Sequence, residues 1–272
     1  MSLQLRLVTW LTSPLLLTLI PSLLPIPNYL ISTTVQAQTS QNRKTEADKL
    51  LEQGIQQYQR SQYQAAIQSW QQALAIYQQI KDRNGEAVSL GNLGSAYNDL
   101  GQYPKAINFH QQSLAIKREM SNSPKERLRQ LKGIASSLNN LGNVYYSLGQ
   151  YPKAIEFFQQ SLAIEGEIPN RNGQASSLNN LGSAYNSLGQ YPEAIEFHQQ
   201  SLAIQREIGD SPEERLRQRN GEASSLGNLG SAYKSLGQYP KAMEFYQQTL
   251  AIYRELGDRH GEGLSLGNLG GA

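Results

Sequence analysis

The sequence predicts an all-α fold, a solenoid of repeated helix–turn–helix units. Three observations carry this prediction. A string of residues recurs almost unchanged, and apolar residues within each copy are spaced as on one face of a helix. Each copy also contains a Gly shortly before a Tyr-Pro pair, which is typical of a break between two helices. The copies are NLGSAYNDLGQYPKAI from Asn92, NLGNVYYSLGQYPKAI from Asn140, NLGSAYNSLGQYPEAI from Asn180 and NLGSAYKSLGQYPKAM from Asn228.

The period of the repeat alternates between 48 and 40 residues, so that two units together make a period of 88 residues. The longer period also relates His110 to His198. A decayed earlier copy, EQGIQQYQRSQYQAAI, begins at Glu52. Five units therefore occupy residues 45–84, 85–132, 133–172, 173–220 and 221–260, and a partial sixth unit occupies 261–272.

Each unit contains two helices, which we call helix A and helix B. In the second unit, helix A has its apolar face at Leu90, Leu93, Gly94, Tyr97 and Leu100. We expect Gly101 to end it and Pro104 to lie in the first turn of helix B. The wide stripe of helix B comprises Ala106, Ile107, Phe109, His110, Ser113, Leu114 and Ile116. A glycine inside a helix costs about 1 kcal/mol, so we expect Gly94 to allow a close approach to the small Ala106 of helix B.

These residues resemble the tetratricopeptide repeat family. The matching order is Leu93-Gly94, Tyr97, Gly101, Tyr103, Ala106 and Leu114, and it recurs through residues 45–272. Leu90 and Ser113 depart from the usual Trp and Ala, and the units are longer than the standard repeat. The 40-residue form is similar to bacterial, notably cyanobacterial, arrays that often precede a caspase-like protease domain. The resemblance implies a right-handed superhelix, with helix A inside and helix B outside, that binds partner polypeptides.

The first 37 residues differ from the repeats. Arg6 precedes a segment from Leu7 to Ile31 that has no charged residue, and the sequence VQAQ that follows has small residues at cleavage-type spacing. This pattern predicts a signal peptide over residues 1–37, cleaved near Ala37, then a linker over 38–44, and export to the periplasm or the exterior. The alternative is a membrane anchor formed by residues 7–31, which are numerous enough to span a bilayer.

Composition and the histidines argue against several function classes. The chain has 24 Lys and Arg against 22 Asp and Glu, a net charge of +2, which indicates no nucleic-acid partner. It has no cysteine, hence no thiolate nucleophile or Cys-type zinc site. His110 and His198 take the positions of Phe158 and Tyr246 in sister units, so we expect them in the core, and His260 lies in a turn. We therefore expect no catalytic residue, metal, cofactor or small-molecule substrate.

A polar row runs along the opposite side of helix A from its apolar face. Because a carboxamide both donates and accepts, a repeated Asn can bind the N–H and C=O groups of an extended peptide. The resemblance adds that some tetratricopeptide arrays use such asparagines on their inner surface. The candidate binding residues are Asn92, Ser95, Asn140, Asn143, Asn180, Ser183, Asn228 and Ser231. The structural alternative is that each Asn bonds a neighbouring helix and tightens the stack.

Two units contain eight extra residues, at 123–130 and 211–218. Both segments, SPKERLRQ and SPEERLRQ, begin with Ser, Pro and a later Glu, which is typical of a helix start. Because eight residues are close to two turns, we expect each insertion to extend the next helix A through Gly133 or Gly221. The arginines of the insertions are expected on a solvated rim: Arg127, Arg129, Arg215 and Arg217.

The sequence thus predicts a non-catalytic scaffold that binds an extended peptide or a partner protein in its concave groove. One alternative is the regulatory array of a longer enzyme such as a caspase-like protease. Another is a module that self-associates through its uncapped C-terminal repeat, because the partial unit at 261–272 leaves the fifth unit poorly covered and terminal repeats normally need a cap.

Overall fold

The computed structural model describes residues 28–120, 124–207 and 212–272. Within these ranges the chain forms eleven helices and no strand. The helices are α1 Asn28–Gln59, α2 Tyr63–Ile80, α3 Arg83–Asp99, α4 Tyr103–Glu119, α5 Pro124–Ser147, α6 Tyr151–Gly166, α7 Arg171–Ser187, α8 Tyr191–Glu207, α9 Pro212–Ser235, α10 Tyr239–Leu256 and α11 Arg259–Gly270. The prediction of an all-α solenoid of helix pairs is confirmed.

The helices pack in chain order, which is the arrangement of a repeat array. Helices A are α3, α5, α7, α9 and α11, together with the end of α1, and helices B are α2, α4, α6, α8 and α10. Each helix from α2 to α11 contacts the next one along the chain, and α3, α5, α7 and α9 also contact one another in sequence. Helices α3, α5, α7 and α9 therefore form a continuous layer, in which side chains of one unit reach those of the next.

The turns inside the units follow the predicted chemistry. Gly101 has φ +68°, and the N–H of Gln102 reaches back 2.8 Å to the carbonyl of Tyr97. Such a left-handed residue closes a helix without steric cost only when it is Gly. Gly149, Gly189 and Gly237 repeat the conformation. Between units, a side-chain cap begins the next helix instead, as when Asp82 accepts a bond of 2.9 Å from the N–H of Gly85.

The glycines inside helices A leave room for rings of helices B. A methyl group on Gly94 would lie 2.7 Å from the ring of His110, and one on Gly142 would lie 2.4 Å from the ring of Phe158. The atoms nearest to that position thus belong to the His110 ring, a neighbour that the expectation about Ala106 did not include. Gly182 and Gly230 make the same room for His198 and Tyr246. The core position predicted for His110 and His198 is confirmed, since each is only 1% exposed.

The insertions lengthen helices A as predicted. Helices α5 and α9 have 24 residues, against 17 in α3 and α7, and both continue through the glycine of the unit boundary. Four arginines of the insertions are exposed, in agreement with a solvated rim: Arg127, Arg129, Arg215 and Arg217. The extension also has a structural contact, because Gln130 Nε2 donates to the carbonyls of Lys117 at 2.9 Å and Met120 at 2.7 Å.

The predicted leader lies mostly outside the described residues. Residues 1–27 are not among them, and α1 begins at Asn28. Residues 38–44, expected to be a linker, lie within α1, where neither Gly nor Pro interrupts the helix before Gly54. In the three described ranges, no helix combines the length and the apolar character needed to cross a membrane.

Candidate functional site

The eight candidate residues lie on four neighbouring helices A, and we call the surface that they form the A-helix face. Each helix contributes an Asn and, three residues later, a Ser or Asn. Asn143 is exposed and the other seven residues are half-buried. The members, in order, are Asn92 and Ser95 on α3, Asn140 and Asn143 on α5, Asn180 and Ser183 on α7, and Asn228 and Ser231 on α9.

Two of the four asparagines bond the preceding unit. Asn180 Nδ2 donates to Asn139 Oδ1 at 3.2 Å, and Asn228 Nδ2 donates to Asn179 Oδ1 at 3.0 Å. These bonds join α5 to α7 and α7 to α9. They fit the alternative prediction, in which each Asn bonds a neighbouring helix and tightens the stack. Their amide protons are therefore partly committed to the stack, although the carbonyl oxygens of both side chains stay open.

The other two asparagines make no such bond. Neither Asn92 nor Asn140 has a side-chain hydrogen bond to any described residue, because Leu51 and Gly91 stand where a later unit has Asn139 or Asn179. Asn143 is likewise without a side-chain bond among the described residues. The A-helix face thus has free carboxamides on α3 and α5 and bonded ones on α7 and α9.

The hydroxyls of the face are turned toward their own helices. Ser95 Oγ donates to the carbonyl of Gly91 at 3.3 Å, and Ser183 and Ser231 make the same bond at 3.0 and 3.2 Å. A serine that bonds the carbonyl four residues earlier satisfies its own donor. The oxygens of Ser95 and Ser183 remain acceptors and offer a ligand lone pairs instead of a proton, whereas Ser231 Oγ also lies 3.2 Å from the hydroxyl of Tyr246.

The network under the face links the units through buried polar groups. Asn139 Nδ2 donates to Ser161 Oγ at 2.9 Å and to Ser177 Oγ at 2.7 Å. Ser177 in turn donates to Glu165 at 2.8 Å. Burial raises the pKa of Glu165, and the bond from Ser177 opposes that rise. Ser161 also donates to the carbonyl of Ala135, which ties α6 to α5 inside one unit.

Basic groups near the face are held in uncharged or weakly basic states by burial. Burial, with a smaller contribution from nearby Lys117, lowers the pKa of His110 to about 4. Burial alone lowers that of His198 to about 4 and the pKa of Lys117 to about 8. The ammonium of Lys117 donates to Ser137 Oγ at 2.9 Å. At neutral pH both histidines are therefore neutral groups of the core.

Charged side chains are few along the A-helix face. Asp99 lies at the end of α3, where it accepts a hydrogen bond from the hydroxyl of Tyr58. Lys234 lies near the end of α9. No group of three or more His, Cys, Asp or Glu side chains in the described ranges is placed to hold a metal ion. The chemistry of the face is that of carboxamides and hydroxyls.

The acceptors Asn139 and Asn179 were not among the residues predicted from the sequence. Neither was Gly91, which occupies the position equivalent to Asn179 in the 88-residue period. A comparison of the two long units at that period would have shown the difference. Which hydrogen bonds form there follows only from the packing of one helix A against the next.

Comparisons with known proteins agree with the architecture. Models of the tetratricopeptide repeat match residues 45–119, 133–207 and 223–260. No curated protein matches the chain. The solved structure of aspartyl phosphate phosphatase F from Bacillus subtilis is similar with a TM-score of 0.69 and 18% identity, over 89% of this chain and 59% of that one.

Two further structures have the same fold. BtubC from P. vanneervenii matches with a TM-score of 0.62 and 20% identity, over 84% of this chain and 93% of its own. A Podosopora anserina protein with nearly identical TPR-like repeats matches with a TM-score of 0.56 and 26% identity, over 79% and 98%. This chain spans 59% of the length of the phosphatase F structure. Since one family model by itself matches more than half of the residues, the chain belongs to the tetratricopeptide repeat family.

Proposed function

We propose that the chain binds an extended segment of a partner polypeptide along its A-helix face. Membership of the tetratricopeptide repeat family supports protein–protein interaction, and proteins of this family are generally non-catalytic scaffolds. The observation that carries the finer proposal is the pair of free carboxamides, Asn92 and Asn140, on adjacent helices A.

The chemistry suits a polypeptide backbone. A carboxamide offers two N–H donors and one oxygen acceptor, so a single Asn can bond the C=O and N–H groups of one extended residue. Asn143 adds an exposed third carboxamide on α5. Because charged groups are few along the face, contacts to the peptide backbone dominate over the recognition of charged side chains.

Mutations can separate the binding of a peptide from the hydrogen bonds that join neighbouring units. We expect Asn92→Ala with Asn140→Ala to weaken peptide binding about tenfold, because buried hydrogen bonds to the ligand are lost. The same double variant changes the free energy of unfolding by less than about 0.5 kcal/mol, since neither side chain bonds the protein. Asn180→Ala with Asn228→Ala instead removes two bonds between units and lowers that free energy by about 1 kcal/mol per bond.

The measurement starts with the full chain and a library of random unstructured peptides. Selected peptides are titrated by fluorescence anisotropy against the wild type and both double variants, and stability is measured by urea denaturation. Gln111→Ala with Gln112→Ala on the exposed side of α4 serves as the matched surface control. Equal affinity for wild type and Asn92→Ala/Asn140→Ala, with the fold intact, would refute the A-helix face as the binding site.

A further inference from the structure

Units two and four are related by the 88-residue period, and one difference between them leaves polar groups without partners. His110 corresponds to His198, and Asn140 corresponds to Asn228. The position of Asn179 in the later pair is taken by Gly91 in the earlier pair. Gly91 lacks the side chain with which Asn179 contacts His198 of its own unit and Asn228 of the next unit.

The later unit shows what the missing side chain does. Asn179 Oδ1 accepts a hydrogen bond from Asn228 Nδ2 at 3.0 Å and lies 2.7 Å from His198 Nδ1. An amide oxygen can only accept, so His198 donates from Nδ1. One oxygen atom therefore satisfies both the ring and the carboxamide of the next unit.

The earlier unit has no such oxygen. His110 is 1% exposed, and its Nδ1 atom has no hydrogen-bond partner among the described residues. The carboxamide of Asn140 is also free there. Both line a cavity of about 210 Å³ between α3 and α5. A buried ring nitrogen without a partner costs free energy, so the site favours an occupant that supplies an oxygen.

Other atoms that line the cavity are acceptors, and they favour a ligand that also has a hydrogen-bond donor. Asn98 Oδ1 is buried without a partner, as is Asn186 Oδ1 in the later unit, and Asp99 contributes a carboxylate to the lining. A carboxylate ligand would meet these oxygens with no donor of its own. An ammonium or guanidinium ligand has no acceptor for Asn140 Nδ2, nor for His110 Nδ1 in the tautomer that His198 has. A primary carboxamide satisfies both sets.

We propose that this cavity binds the side-chain carboxamide of a Gln or Asn in the partner polypeptide. Its oxygen takes the place that Asn179 Oδ1 has beside His198, and its NH₂ group faces Asn98 Oδ1. The inference rests on the proposed polypeptide binding and adds a preferred side chain to it. The unpaired groups between α3 and α5 therefore select one side chain of the bound segment. The rest of the A-helix face binds the backbone of that segment.

The test uses the full chain with ¹⁵N-labelled histidine, the His110 ring being assigned through a His110→Phe variant. Three small probes with the same backbone amides are titrated: the N-acetyl N-methylamides of glutamine, glutamate and methionine. We expect the His110 Nδ1 resonance to shift saturably with the glutamine probe. We expect the glutamate probe to bind at least about tenfold more weakly, because its carboxylate has no N–H group to donate to the acceptor oxygens of the cavity, such as Asn98 Oδ1.

Two exchange variants give matched controls. Gly91→Asn supplies the missing oxygen from the protein, and a Cβ there meets its nearest atom, Ser113 Oγ, at an ordinary 3.5 Å. It should fold, as checked by circular dichroism, and lose the response of His110 to the glutamine probe. Asn179→Gly should create the same response at His198.

Three results would overturn the proposal. They are an equal response to all three probes, no response to the glutamine probe in a folded wild type, and an unchanged response in Gly91→Asn. The second result would indicate a cavity filled by water only. Because the probes need no partner protein, failure here leaves backbone binding by the A-helix face standing. If no peptide of the library bound the wild-type chain, the proposed function itself would be refuted instead.

Discussion

At the scale of single residues, glycine has two different roles in this chain. Gly101 adopts a left-handed conformation with open space around its Cα, so its role is conformational. Gly142 lies in a regular helix, and the ring of Phe158 fills the space where a side chain would be. The same residue type thus serves a turn in one place and close packing in another.

Substitution by alanine distinguishes these environments. Gly142→Ala places a methyl group 2.4 Å from the Phe158 ring, and we expect the overpacking to lower the free energy of unfolding by about 1–3 kcal/mol. Gly166→Ala meets no atom within 4 Å at the exposed end of α6, and we expect a gain of about 0.5 kcal/mol from helix propensity. Urea denaturation of both variants measures the difference, and two changes of the same sign would contradict the packing role of Gly142.

The two core histidines make stability depend on pH. Their pKa is about 4 in the folded chain, against 6.5 for an unperturbed histidine, because burial disfavours the charged ring. The unfolded chain therefore binds protons first on acidification. Stability is fully present above pH 6.5 and falls as the pH is lowered toward 4, by at most about 3 kcal/mol per histidine.

The variant His110→Phe with His198→Phe should remove most of this loss. Phe158 occupies the equivalent position beside Gly142, so the ring is compatible with the site. We expect the difference in unfolding free energy between pH 7 and pH 4.5 to shrink by about 2–3 kcal/mol per replaced ring. The measurement is urea denaturation at both values, and an unchanged pH difference would show that the histidines do not titrate on unfolding.

At the scale of elements, helices A and B are joined by hydrogen bonds as well as by apolar packing. Ser113, Ser161 and Ser201 are buried on helices B and donate to backbone carbonyls of their partner helices A at 2.7–2.9 Å. These serines stand where the family usually has Ala. Their hydroxyls therefore fix the helix pair by a bond that an alanine could not make.

The helical insertions also bond the preceding helix. The last carbonyls of a helix have no partner inside it, and Gln130 of α5 donates to two of them at the end of α4. Gln174 makes the same kind of bond to Glu165 without an insertion, at 2.7 Å. The insertion thus preserves a contact between units while it lengthens the helix.

Truncation of that side chain should destabilise the junction. We expect Gln130→Ala to lower the free energy of unfolding by about 1 kcal/mol, because two carbonyls lose a donor. Lys132→Ala, an exposed change on the same helix, should stay within about 0.5 kcal/mol. Urea denaturation compares the two, and equal effects would mean that water replaces Gln130 without loss.

At the scale of the whole molecule, each unit contacts its neighbours and few others, so stability is close to a sum over units and their junctions. The junctions are not equivalent. Those from α5 to α7 and from α7 to α9 have an asparagine bond, whereas the junction from α3 to α5 has a cavity. The asparagine bonds therefore tie the middle of the array, from α5 to α9, whereas the junction from α3 to α5 lacks one.

The sequence alone determined the unit lengths, the helix–turn–helix order and the turns, because these depend on residues close together in the chain. The turn at Gly101 and Pro104 and the helix around Leu93 can be predicted without knowing which residues contact them in the fold. The insertions were also predictable as helical extensions, since eight residues keep the face of a helix almost in register.

Only the tertiary structure decided which asparagines are free. Asn180 and Asn228 begin the same string NLGSAY as Asn92, yet their partners lie 41 and 49 residues earlier in the chain. The ring that fills the space at Gly94 and the cavity beside His110 depend in the same way on packing between helices. A local pattern cannot specify such contacts. Gly in place of Asn at position 91 leaves Asn140 and His110 Nδ1 without a partner among the described residues, although the repeated string still begins at Asn140.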